Sequence, residues 1–172
     1  MRIMKYIQTI LLLLGFFVAS GQKSSKGTVR LHTTKYAGVY SYGENIEKEP
    51  IGSVYIYPET DTTILFYLDL NRGAPSYNMG SLYGRIKIVN NKWVFDMNLG
   101  YSQKNCKLTF YFSTNKLTIM PDLEQEECGF GFAVYANGVY IKNHNKRVDY
   151  FTDQEGKKIY FKKTSPEKYN KE

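Results

Sequence analysis

C-K-L-T-F-Y-F-S-T-N-K-L-T-I-M-P, residues 106–121, is the stretch that decides the fold. Cys106, Leu108, Phe110 and Phe112 share one face, and Lys107, Thr109, Tyr111 and Ser113 share the other. Successive side chains of a strand point to opposite faces, so this period of two predicts a strand buried on one side. Ser113-Thr114-Asn115 supplies a polar turn. Leu117 and Ile119 then resume the apolar face, which makes the stretch an antiparallel hairpin. Counting outward from the turn places residue 121 opposite residue 108.

The same alternation runs through much of the chain. In 62–70, Ile64, Phe66, Leu68 and Leu70 fall on one face, with Tyr67 and Asp69 on the other. In 82–89, Leu82, Ile86 and Ile88 alternate with Tyr83, Arg85 and Lys87. Asn90-Asn91 is a two-residue turn, a type that asks for a left-handed backbone and so favours asparagine. Trp93, Phe95 and Met97 follow on one face of 92–98. Further strands are expected at 128–135, 138–142, 148–152 and 157–162, with turns at 136–138 and 153–156. No stretch of useful length has helical spacing. Short strands separated by polar turns predict an all-β fold: a single antiparallel barrel or barrel-like sheet of about eight to ten strands. The large inward residues Trp93, Phe95, Phe110, Phe112, Phe130 and Phe132 predict an interior filled with side chains.

The ends read differently. Arg2 and Lys5 precede an almost wholly apolar run from Ile7 to Val18, and the small residues Ala19, Ser20 and Gly21 follow. Positive, apolar, then small is the pattern of a cleaved export signal. The run is well short of the roughly 20 residues that span a bilayer. The expectation is a signal peptide over 1–21, cleaved before Gln22, and a secreted or periplasmic product. No cysteine lies near the cleavage site, so no lipid tether is expected. Residues 22–34 read as a flexible lead-in, 35–163 as the barrel-like domain and 164–172 as a frayed tail. Loss of Arg2 and Lys5 takes the formal charge from +7 to +5, which suits solubility or an acidic surface. Nucleic acid is not an expected partner in that compartment.

Cys106 and Cys128 form an even pair, and in an oxidising compartment such a pair is expected to be a disulfide. Strands two apart in a sheet are too far apart for a bridge. If 116–121 lies between 106–113 and 128–135, it must end before reaching Cys106, with 122–127 looping outside the bridge. Pro121, which cannot donate to a ladder, supports that ending.

Candidate functional residues are few. N-R-G-A-P-S-Y-N-M-G-S, residues 71–81, interrupts two strands with no periodicity. Gly73, Pro75 and Gly80 fix turns, while Arg72, Tyr77 and Asn78 offer a cation, an amphipathic ring and an amide, the chemistry of a recognition loop. The competing reading is a structural crossover packed by Tyr77 and Met79. In 128–134, Gly129 and Gly131 leave one strand face bare, which marks a bulge, a bend or close approach by another group. Tyr36-Ala37-Gly38-Val39-Tyr40 is echoed by Tyr135-Ala136-Asn137-Gly138-Val139-Tyr140, and coincidence in a Tyr-rich chain is the simpler explanation. Asp69, Asn71 and Gly73 lack the later ligands of a calcium loop. Asp122, Glu124, Glu126 and Glu127 read as a solvated acidic loop. His32 and His144 have no Cys or carboxylate at ligand spacing, and no nucleophile, base and orienting group come together. No catalytic residue, metal or cofactor is assigned.

The blocks C-K-L-T-F-Y-F, C-G-F-G and N-G-V-Y, together with R-G-A-P-S-Y-N-M-G, resemble uncharacterised exported proteins of Bacteroidota-type bacteria. That resemblance implies no activity. A weaker similarity, of architecture only, is to periplasmic lysozyme-inhibitor barrels. The expected function is an exported non-enzymatic binding module for a protein or glycan of the envelope or exterior, a hydrolase inhibitor being one form. The alternative is a lipocalin-like carrier of a small apolar ligand.

Overall fold

A computed structural model describes residues 33–100 and 103–170. The expected signal, residues 1–21, and residues 22–32 of the lead-in lie outside the described residues. Eight strands close an antiparallel barrel in chain order: β1 (Gly38–Tyr42), β2 (Ile51–Pro58), β3 (Thr63–Asn71), β4 (Met79–Val89), β5 (Lys92–Met97), β6 (Cys106–Phe112), β7 (Lys116–Glu126) and β8 (Gly138–His144). Two short strands, β9 (Tyr150–Thr152) and β10 (Lys158–Tyr160), form a separate hairpin, and α1 (Pro166–Tyr169) follows. The all-β barrel read from the alternation is the fold.

The register follows the residues. Asn90 and Asn91 both take positive φ, 49° and 62°, and make the two-residue turn between β4 and β5. Leu108 pairs with Pro121, as counted from the 113–115 turn. Inward positions of successive strands (Val54 and Ile56, Phe66 and Leu68, Phe95, Phe110, Leu117 and Ile119) pack into one buried cluster, so side chains fill the barrel. Gly84 makes this possible. It lies opposite Phe66, and a Cβ there would stand 2.6 Å from the Phe95 ring and 2.7 Å from the Phe66 ring.

Both ends of the barrel are plugged. Thr33–Tyr36 forms a 3-10 turn, with Thr33 buried and its hydroxyl donating to the Thr60 carbonyl at 2.7 Å. Thr33 and Thr34 therefore belong to the fold and not to a flexible lead-in. The Tyr36 ring stacks on Phe112 at 4.4 Å and meets Trp93 edge-on at 5.9 Å, closing that end. The two echoed segments do the same local job: Tyr40 Oη donates to the Tyr36 carbonyl and Tyr140 Oη to the Ala136 carbonyl, each at 2.9 Å. One segment leads into β1 and the other into β8, its antiparallel neighbour.

Three expectations are overturned. Residues 122–126 do not loop outside the bridge but continue β7, and Cys106 pairs with Glu126. Three extra residues are absorbed between the pairs Leu108–Pro121 and Cys106–Glu126, a bulge at the proline that cannot donate. Residues 128–135 are not a strand; the chain turns back there across the barrel end. The tail through Asn170 does not fray. Tyr83 Oη donates to the Thr164 carbonyl at 2.8 Å, Asn170 Nδ2 donates to the Tyr83 carbonyl at 3.3 Å, and Arg85 pairs with Glu167. With β9 and β10, this tail covers the outer face of β2, β3 and β4, burying Tyr57, Leu65, Tyr67 and Tyr83 against Phe151, Ile159 and Phe161.

Candidate functional site

Antiparallel order puts the connections 43–50, 72–78 and 127–137 at the barrel end opposite the Tyr36 plug. The last of these forms a cap. It is tied to β6 by the Cys106–Cys128 disulfide, with Cα atoms 4.5 Å apart. Gly129 and Ala133 take left-handed conformations, φ 71° and 57°, which break the strand alternation and fold the segment over the mouth. The Gly131 N–H donates to the Met79 carbonyl and the Val134 N–H to the Gly131 carbonyl, both at 3.0 Å. Phe130 lies across Gly80, where a Cβ would stand 2.6 Å from its ring, and Val134 and Ala136 enter the barrel core.

The glycine signal in 128–134 thus marks both a bend and a close approach. A Cβ on Gly131 would meet the Met79 carbonyl oxygen at 2.7 Å. Gly131→Ala is therefore expected to lower stability by about 1–3 kcal/mol through backbone displacement. Faster amide exchange should be confined to the cap. An unchanged melting temperature would show that the cap does not bear on β4.

Folding the cap reverses the expected direction of one aromatic ring. Phe132, expected inward, is 81 % exposed, and Tyr135 is 60 % exposed. These are the most prominent apolar groups at this end, and neither was among the expected site residues. The bare face at Gly129 and Gly131 carried the signal for a bend, but alternation counted through it gives Phe132 the wrong side.

The three expected site residues prove largely structural. The 71–81 interruption shrinks to 72–78, because Asn71 ends β3 and Met79 begins β4. The Arg72 N–H donates to the Asn78 carbonyl at 2.8 Å. Tyr77 takes a positive φ of 50°, and its hydroxyl donates to Glu47 Oε2 at 2.5 Å, bracing the 43–50 connection. That bond to a carboxylate raises the Tyr77 pKa above the usual phenol value. Asn78 Nδ2 donates to the Phe132 carbonyl at 2.9 Å and so holds the cap. Arg72 alone retains binding chemistry in its side chain. Its guanidinium lies 5.8 Å from the Phe132 ring centroid and makes no ion pair among the described residues.

Beside this pair runs a groove of about 300 Å³, lined by Tyr42, Pro50, Arg72, Tyr135 and Asn137 among others. No acidic side chain lines it. Tyr42 meets Tyr140 edge-on at 4.9 Å, and burial raises the Tyr42 pKa. The arrangement offers a flat aromatic surface, one cation and an amide, which suits stacking and hydrogen bonding to a partner. His144 lies at the other end of β8 from the groove, whose lining takes in Gly138 and Val139, and is exposed, with Nδ1 3.1 Å from the Lys146 carbonyl oxygen. Among the described residues no three His, Cys, Asp or Glu side chains gather closely enough to hold a metal ion. Among them, too, no helix is long and apolar enough to cross a membrane.

No family model, curated protein or solved structure matches the chain.

Proposed function

We propose that the protein is an exported, non-enzymatic binding module that captures a protein or glycan of the envelope or exterior with the capped end of its barrel. One observation carries the reading. A disulfide-tied segment holds Phe132 and Tyr135 out in solvent beside Arg72, on a barrel that needs neither ring for its core. Exposed aromatics fixed on a rigid frame lose little entropy on binding, and Tyr and Arg are frequent anchors of interfaces. A hydrolase inhibitor would use the same surface. A carrier of a small apolar ligand is the weaker alternative, because side chains occupy the interior such a ligand would need. The disulfide and the apolar amino-terminal run both favour an oxidising, exported setting.

Replacing Phe132 and Tyr135 together by Ala tests this. Capture of the native partner from envelope extract should be lost while the melting temperature stays put, since both rings are largely solvent-exposed. Retained capture would move the binding surface elsewhere.

A further inference from the structure

The barrel wall is not continuous between β4 and β5. β4 pairs with β3 over all of Met79–Lys87, but with β5 only over Lys87–Val89. Beyond Lys87 the two strands part. The backbone direction along this stretch follows from two bonds. The Arg72 N–H to Asn78 carbonyl bond shows that even-numbered residues of β4 face β3. The two-residue turn at Asn90 and Asn91 closes on Val89 and Lys92, so odd-numbered residues face β5. Ser81, Tyr83 and Arg85 therefore direct N–H and C=O groups at the gap, where no strand among the described residues pairs them.

Two carbonyls of this edge already accept amide donors from outside the barrel strands. Met79 takes the Gly131 N–H and Tyr83 takes Asn170 Nδ2. A groove of about 860 Å³ starts at the Arg85 and Lys87 end of the gap and runs on over the outer face of β5, β6 and β7. Phe95 and Met97, which are inward residues of β5, reach its lining because the wall opens there. Lys87 and Lys92 line it and make no ion pair among the described residues, whereas Arg85 is held by Glu59 and Glu167, and Lys107 by Asp122; Asp96 lines it too and accepts from Asn105 Nδ2 at 2.8 Å.

We propose that this edge of β4, which no described strand pairs, is a strand-addition site for an extended peptide carrying acidic side chains. An unpaired edge is a template for another chain, and main-chain hydrogen bonds with alternate side-chain contacts are how such peptides bind. The backbone of Ser81 and Arg85 supplies the ladder, and Lys87 and Lys92 select for acidic residues. The site is separate from the capped end and does not depend on that end's role.

Amide exchange followed by NMR tests it on the mature protein, with capped peptides of alternating glutamate and valine or alternating lysine and valine as probes. In the free protein, the Ser81 and Arg85 amides should exchange about tenfold or more faster than those of Leu82 and Gly84, which face β3. The glutamate peptide should slow Ser81 and Arg85 by about tenfold. Lys87→Glu with Lys92→Glu should weaken that peptide by about tenfold. Ser81 and Arg85 amides already as protected as their neighbours would overturn the proposal. So would a glutamate peptide that leaves them unchanged, or a lysine peptide that protects them equally.

Discussion

Phe66→Ala is expected to cost about 3–5 kcal/mol of unfolding free energy, enough to leave the barrel barely folded at ambient temperature. Phe66 is fully buried, with ring centroids 5.3 Å from Phe95 and 4.8 Å from Phe110. The residue across the ladder is Gly84, so the opposite strand has no side chain that could swing into the vacated space. The rings on either side are held by their own strands, and a cavity that cannot collapse carries the full penalty. Denaturant titration of wild type and variant gives the difference directly, with the slope unchanged if only packing is lost. A loss under about 1 kcal/mol would mean that the interior repacks freely and is not the close-packed plug described above.

Replacing Cys106 and Cys128 together by Ser has the next largest expected effect. The bridge closes a loop across a sequence separation of 22. Restriction of the unfolded chain by a loop of that size is worth about 3.4 kcal/mol in the chain-entropy account. The location of the loss matters as much as its size. Without the bridge, the cap keeps the bonds from Gly131 to Met79 and from Asn78 to Phe132, together with the seating of Val134 and Ala136. The barrel should keep its strands while amides in 128–137 exchange faster, and capture by Phe132 and Tyr135 should weaken with the loss of their fixed platform. A variant as stable as the wild type, or one that unfolds throughout before the cap loosens, would contradict this role.

How far the sequence led depends on where alternation is obeyed. From 106 to 121 it holds, because one face meets the core and the other meets solvent, and even the pairing of residues 108 and 121 is right. It misleads where both faces are buried. Leu65 breaks the alternation of 62–70, and the reason is the carboxy-terminal hairpin lying over Leu65, Tyr67 and Tyr83. The expectation of a frayed tail misses the element that covers Tyr67 on the second face of β3. β1 and β2 were not singled out, although Val54 and Ile56 alternate with Tyr55 and Tyr57. That signal was available. In 128–134 the left-handed residues Gly129 and Ala133 reset the period, and Ala133 carries no sequence mark of such a conformation.

The site was legible in part for the same reason. The 72–78 turn drew notice for its glycine, proline and polar residues, but those features build the turn itself, with Tyr77 and Asn78 spent on Glu47 and Phe132. The Arg72 guanidinium stays available for a partner in the proposed role, because its neighbour is an aromatic face and not a carboxylate. Phe132 and Tyr135 could be placed only once the cap was seen to fold back on Met79.

Site-specific photo-crosslinking in the native cells tests the central claim most directly. A photoreactive phenylalanine analogue is placed at Phe132, at Tyr135, or at Tyr160 on the distant hairpin, where the ring is also exposed. Capture of a partner at the capped end predicts a discrete adduct from positions 132 and 135 and none from 160. An adduct from position 160 alone, or equal labelling from all three, would contradict it.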